Sequence, residues 1–248
     1  MLTAKINGIN IYIMTIRQKE ILASIIQLYA DSAEPVSSRE LVSIFELSSA
    51  TIRSEMSVLE ENGYIFQPHI SSGRVPTDKG YRYFVNNLAA YNPAESNKSV
   101  QTIAKRVDSL KDRTDGAIKI AAETLSDLTG NMAFATLSDS VYFHGMGQLF
   151  SQPEFIDQVN ALQAARFLDA IQQWLTSAKI DSLQVYIGAE NPVVRSSGLT
   201  MMVNRFTSPY SDYSYIGIVG PTRQSYDKVI NLVEGTTEAL EEVFGASR

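Results

Sequence analysis

The stretch Ser48-Ser49-Ala50-Thr51-Ile52-Arg53-Ser54-Glu55-Met56, followed by Gly63-Tyr64, Gln67-Pro68-His69 and Gly73-Arg74-Val75-Pro76-Thr77-Asp78-Lys79-Gly80-Tyr81, decides how the chain is read. It describes a short exposed helix, a tight stop, and a small β-hairpin with a basic tip. That order predicts a winged helix-turn-helix, in which the second helix of the pair enters the DNA major groove and the hairpin grips the flanking backbone.

Ile52, Met56 and Leu59 recur at i, i+4 and i+7, so they face a core. Ser49, Ala50, Arg53, Ser54 and Ser57 then lie on or near the opposite face. Small polar residues around one long cation let a helix approach base edges, and Arg53 can donate a bidentate pair to guanine. Ser48 can cap this helix, and Thr51 sits in its first turn. Ser38 and Arg39 open the preceding helix, and His69 and Arg74 belong to the hairpin. These eleven residues are the candidate DNA-binding set. The pattern alone leaves a protein-interaction winged helix equally open. It also leaves Arg74 either as a phosphate contact or as a turn residue paired with Glu60 or Glu61. His69 is open in the same way, between a phosphate contact and a turn residue.

Working outward, Ile16 through Ala30 carries a broad helical apolar face, which Glu34-Pro35-Val36 breaks. Ser37 with Glu40 forms a capping box for a short helix from Arg39 to Phe45. Asn62-Gly63 supplies a left-handed stop. Tyr64 to Gln67 reads as a strand, Pro68 to Gly73 as the hairpin tip, and Arg74 to Pro76 as the return strand. Thr77-Asp78-Lys79-Gly80 opens a further helix with Tyr81, Phe84, Val85 and Leu88 as its stripe.

With 248 residues, 44% of them hydrophobic and 19% charged, the chain can bury about two cores. It has no cysteine, which excludes a disulfide frame and thiolate chemistry and fits a reducing cytoplasm. No apolar run approaches the roughly 20 residues of a membrane span. Residues 1–14 read as a flexible N-terminal extension. Its isoleucines are interrupted by Asn7, Gly8 and Asn10, and no signal peptide is expected. The formal net charge is −6, unevenly spread. Residues 1–92 hold eight Lys/Arg against nine Asp/Glu, and the remainder holds 13 against 18. DNA affinity must therefore come from a few placed cations and helix N-termini.

Several runs together resemble the bacterial heat-inducible transcription repressor HrcA family. In the front half they are Arg17-Gln18-Lys19-Glu20-Ile21-Leu22, Glu34-Pro35-Val36-Ser37-Ser38, Ala50 to Met56 with Leu59-Glu60, Gly63-Tyr64, Gln67-Pro68-His69 and Ser72 to Arg82. The resemblance returns at Phe150, Gln152-Pro153-Glu154-Phe155, Ile187-Gly188-Ala189-Glu190-Asn191, Ile216 to Arg223 and Tyr226. It implies a repressor on an inverted-repeat (CIRCE) operator upstream of chaperone operons, with chaperonin as the partner that favours the active form. It also implies a winged helix, a GAF-like domain, and a dimerisation domain inserted into the latter. Ten residues separate Thr129-Gly130 from Val141-Tyr142-Phe143-His144-Gly145, too few for such an insert. The shortening is expected to remove the insert together with the early GAF-like strands beside it.

Asn92 to Asn97 reads as a linker, followed by one long helix from about Ser99 to Leu128. Val100, Ile103, Val107 and Leu110 alternate at 3-4-3 spacing, either the seam of a weak homodimer or a stripe packed on the back domain. Ser151-Gln152-Pro153-Glu154 reads as a second capping box. The helix behind it has Phe155, Val159, Leu162, Phe167, Leu168, Ile171 and Leu175 as its apolar face. Gln184 to Gly188, Leu199 to Phe206 and Tyr215 to Val219 read as strands, and Tyr226 to Phe244 as a closing helix. His69 and His144 are the only histidines, and no cofactor, metal set or catalytic constellation is legible. Gly217-Ile218-Val219-Gly220-Pro221-Thr222-Arg223 lacks the Lys-Ser/Thr of a phosphate loop, and Pro221 removes an amide donor.

The expectation is an α+β chain. Residues 15–92 would form the DNA-binding winged helix, residues 93–130 a linker and long helix, and residues 131–248 a GAF-like antiparallel domain. It would be a cytoplasmic repressor rather than an enzyme. The rivals are a regulator of other operons with a ligand-sensing back domain, and an interaction module that does not bind DNA.

Overall fold

The computed structural model describes residues 3–6, 9–88, 96–195 and 198–245. Two compact units emerge: residues 1–90 with 223–225, and residues 91–222 with 226–248.

The front unit begins with an antiparallel pair, β1 (Thr3–Ile6) and β2 (Ile9–Tyr12). These strands fall within the expected N-terminal extension, residues 1–14. Three helices follow: α1 (Ile16–Ser32), α2 (Ser38–Phe45) and α3 (Ser49–Glu61). Each starts on a side-chain cap. Thr15 with Gln18 and Ser37 with Glu40 form capping boxes, and Ser48 accepts from the Thr51 amide. α2 ends at Glu46 in the left-handed region (φ 52°), which turns the chain into α3. Ile21, Leu22, Ile25 and Ile26 of α1, Leu41 of α2, and Ile52, Met56 and Leu59 of α3 form the core. β3 (Ile65–Phe66) and β4 (Val75–Pro76) pair antiparallel, and α4 (Asp78–Asn86) closes the unit through Tyr81 and Phe84.

The back unit opens with α5 (Ser96–Asp108) and α6 (Thr114–Thr129), in place of the single long helix that the sequence suggested. The break has local causes. Ser109 Oγ bonds back to the Arg106 carbonyl at 2.6 Å, and tight turns at Leu110 and Arg113 reverse the chain. The helices then pack on each other and on α9 (Tyr226–Val243). This packing uses up the proposed dimer seam. Ile103 and Val107 are fully buried within the chain itself, and Val100 and Leu110 are half-buried. A Cβ at Gly235 of α9 would lie 2.6 Å from a Val100 methyl, so glycine is what lets α5 and α9 meet.

The five-stranded antiparallel sheet has the order β6-β5-β9-β8-β7. Its strands are β5 (Met132–Leu137), β6 (Ser140–His144), β7 (Gln184–Ile187), β8 (Leu199–Ser208) and β9 (Ser211–Pro221). β5 and β6, which the sequence reading did not name as strands, form one side of this sheet, with β5 between β6 and the central β9. One sheet face carries Met132, Phe134, Met201, Val203 and Val219. It meets α7 (Met146–Phe150) and α8 (Gln158–Ser177) through Leu149, Phe167, Ile171 and Leu175. The other face meets α6 and α9, where Phe206 stacks on Phe244 and Thr200 Oγ1 lies 3.1 Å from Tyr226 Oη. Burial on both faces explains why Met132-Ala133-Phe134-Ala135 of β5 and Met201-Met202-Val203 of β8 are apolar without alternation.

α8 begins later than expected. Asp157, not Ser151, is its cap and accepts from the Asn160 amide, while Pro153–Phe155 forms a separate 3₁₀ turn. The shift rotates Val159 and Leu162 into solvent.

Gly235→Ala is expected to overpack the α5–α9 contact and destabilise the back unit by about 1–3 kcal/mol. Thermal unfolding should report a loss of several degrees, and adding Val100→Ala should restore part of it, because the two sites share one contact.

Candidate nucleic-acid interface

α3 sorts its residues cleanly. Ile52 and Leu59 are fully buried and Met56 nearly so, while Ala50, Arg53, Ser54 and Ser57 are exposed and Ser49 and Thr51 half-buried. Ser48 Oγ holds the helix start, lying 3.1 Å from the Thr51 amide and 2.9 Å from Thr51 Oγ1. Arg53 Nη2 donates to Ser49 Oγ at 3.0 Å, which draws the guanidinium along the helix toward its N-terminus. Ser38, half-buried, and Arg39, exposed, occupy the first turn of α2. Ser37 Oγ and its backbone N–H both donate to Glu40 Oε2, at 2.6 and 2.7 Å. The side-chain bond, then the backbone bond, hold the Glu40 carboxyl below its ordinary pKa.

The β3–β4 hairpin stands beside α3 because its return strand is tied to the α1–α2 connection. Arg74 N–H donates to the Val36 carbonyl at 2.8 Å, and Val36 N–H to the Arg74 carbonyl at 2.9 Å. A Cβ on Gly73 would fall 2.3 Å from the Pro35 carbonyl oxygen, so only glycine permits this backbone approach. α3 and the hairpin then line one cleft of about 470 Å³, to which Arg53 and Ser57 contribute from the helix and Ser71, Ser72 and Arg74 from the hairpin.

The cations are placed differently from the sequence expectation of a basic tip. Arg74 sits at the base of the hairpin, with Nε and Nη2 both donating to Glu60 Oε2 at 3.2 and 3.0 Å. Of the pairings open in the sequence, the structure shows the one with Glu60, which engages Nε and Nη2 of the guanidinium. Lys79 Nζ donates to the Asn62 carbonyl at 2.7 Å and lies 4.4 Å from the Tyr64 ring centroid. Arg17 reaches Glu55 at 3.5 Å. His69 holds the hairpin turn with its backbone while its side chain is exposed.

Two contributors escaped the sequence reading. Gln67 Nε2 donates to the Ser72 carbonyl at 2.9 Å and braces the hairpin from within. Ile70 forms the tip and is 98% exposed. Its position inside Pro68-His69-Ile70-Ser71 was the available signal, since an isoleucine within a turn buries nothing. Elsewhere, His144 is half-buried in β6. Among the described residues no group of three His, Cys, Asp or Glu could hold a metal ion, and no helix is long and apolar enough to cross a membrane.

Gly73→Ala is expected to destabilise the front unit by about 1–3 kcal/mol or to lift the hairpin away. Faster amide hydrogen exchange at Val36 and Arg74 would register either outcome. Ser37→Ala should cost about 1 kcal/mol through the lost cap. Because Glu40's folded pKa is lowered, its contribution is present above the unfolded pKa and lost as pH falls through the folded one. Urea melts of the wild-type chain should thus weaken on acidification through the carboxylate range, and Ser37→Ala should flatten that component.

Comparison with known proteins agrees with the resemblance. Residues 20–230 match the family model described as the HrcA protein C terminal domain. The chain is 30% identical over 190 residues to the heat-inducible transcription repressor HrcA of Thermosynechococcus vestitus, covering 76% of this chain and 51% of that one. It is 46% identical over 112 residues to the protein of the same name from Kineococcus radiotolerans, covering 43% and 32%. The chain thus spans from about a third to a half of the length of these curated relatives. A crystal structure described as a hypothetical protein at 2.2 Å resolution superimposes with a TM-score of 0.72 at 17% identity, covering 94% of this chain and 99% of the other, which is a likeness of fold. With most of its length matched by the family model, the chain belongs to the HrcA family.

Proposed function

We propose that this protein is a sequence-specific DNA-binding transcriptional repressor of chaperone genes that reads a CIRCE-like inverted repeat. In this reading the front unit is a winged helix-turn-helix, with α3 as the recognition helix and β3–β4 as the wing. The back unit is a GAF-like regulatory domain. The observation that carries the proposal is the two-sidedness of α3. Its buried stripe fixes the helix on the core, and its outer face offers small residues around Arg53 beside a wing held in place at Gly73. Small side chains let the helix axis sink into a major groove, and the guanidinium supplies bidentate reading of a guanine edge. The names of the relatives, heat-inducible transcription repressors, support the same reading. An inverted repeat would present each half-site to one copy of α3, spaced by whole turns of the duplex.

Electrostatics sets the scale. Arg17, Arg74 and Lys79 have partners within the unit, while Arg39 and Arg53 are exposed on α2 and α3. Each neutralised phosphate contributes about 0.9 to the slope of log affinity on log salt, so a shallow dependence is expected for so few cations.

Arg53→Ala should weaken binding to the specific site by about 1–3 kcal/mol and change binding to random duplex far less. Titrations of both duplexes at one fixed salt concentration would measure this. Equal losses on the two would remove Arg53 from base reading.

A further inference from the structure

The wing ends in a four-residue turn from His69 to Ser72. The Ser72 amide donates to the His69 carbonyl at 3.0 Å, Ser72 Oγ donates to the same carbonyl at 2.8 Å, and the His69 amide donates to Ser72 Oγ at 3.2 Å. Ser71, third in the turn, has φ +73°, a left-handed conformation that L side chains rarely adopt and that turns of this kind normally assign to glycine. The turn is therefore held rigidly in a strained form, and its second residue is Ile70, 98% exposed. Strain at an over-determined site points to a use for that site. Here it keeps an apolar side chain standing off the protein, next to the cleft that the hairpin shares with Arg53 and Ser57 of α3.

Resting on the DNA reading above, we infer that Ile70 is an apolar wedge that enters the minor groove flanking the major groove read by α3 and partly unstacks a base step there. Isoleucine is among the side chains that proteins insert between base steps from the minor groove. The charge distribution favours the same occupant. The front half of the chain has no cationic excess, and Arg74 of the wing is paired with Glu60, which favours an apolar contact as part of the wing's hold on DNA. In this reading a duplex seated on α3 meets the wing at its tip, and the tip carries no lysine or arginine. The contact is short-ranged and insensitive to salt, and it is cheapest at flexible pyrimidine–purine steps.

The test uses the full chain and duplexes that it selects from a randomised pool, with 2-aminopurine placed at successive flanking steps. The wild-type chain should raise 2-aminopurine fluorescence at one flanking step in each half-site. Ile70→Ser should abolish that rise and weaken binding about tenfold without altering the salt slope, while Ile70→Leu should keep both properties. Arg39→Ala serves as the contrast, with a shallower salt slope and the fluorescence rise retained. A chain that selects duplexes but binds them equally well with Ile70→Ser overturns the wedge and leaves the DNA reading standing. An Ile70→Ser loss accompanied by a changed salt slope and no fluorescence rise in the wild type also overturns it. A chain that selects no duplex overturns both.

Discussion

The face presented by the front unit depends on one close approach of backbone to backbone, at Gly73. Two amide–carbonyl bonds join Val36 to Arg74, and the preceding residue has no room for a Cβ against the Pro35 carbonyl. This short bridge fastens a hairpin of two-residue strands, too small to be stable alone, to the connection between α1 and α2. Once the return strand is fixed there, Arg74 reaches Glu60 at the end of α3, and Ser71 and Ser72 come to line the cleft beside Arg53. The distance between α3 and the hairpin tip is thus set by main-chain geometry, not by flexible side chains. Such preorganisation lowers the entropy cost of gripping a partner.

The DNA-binding face proposed above belongs to an acidic chain. Three cations of the front unit have partners within it: Arg17 on Glu55, Arg74 on Glu60, and Lys79 on the Asn62 carbonyl and the Tyr64 ring. What is left for a partner is short-ranged, namely a shallow helix face, exposed Arg39 and Arg53, and an apolar tip. Binding of this kind trades non-specific electrostatic hold for dependence on local fit.

Elements whose cause is local were legible in the sequence. Ser37 with Glu40, Ser48, and the stripe Ile52, Met56 and Leu59 each announce themselves within one or two turns of helix, and each takes the expected role. Elements decided by distant partners were not. Val100, Ile103 and Val107 have the spacing of a seam between copies, yet a glycine more than 100 residues away, Gly235, brings α9 onto that stripe. β5 hid because Met132-Ala133-Phe134-Ala135 is buried on both faces and shows no alternation. Sequence alone leaves Arg74 open between a phosphate contact and a pairing with Glu60 or Glu61, because it does not show which carboxylate a distant element brings within reach; the structure shows Glu60. Asp157 competed with Ser151 for the start of α8, and a few residues of difference turned Val159 and Leu162 outward.

The central claim is that α3 and the hairpin act together on one stretch of duplex. Hydroxyl-radical footprinting of the full chain on a selected duplex tests it most directly. The account predicts, in each half-site, protected sugars on both sides of one major groove, plus a separate protected minor-groove tract on the hairpin side that disappears with Gly73→Ala. Uniform protection along the duplex, or a footprint unchanged by Gly73→Ala, would contradict it.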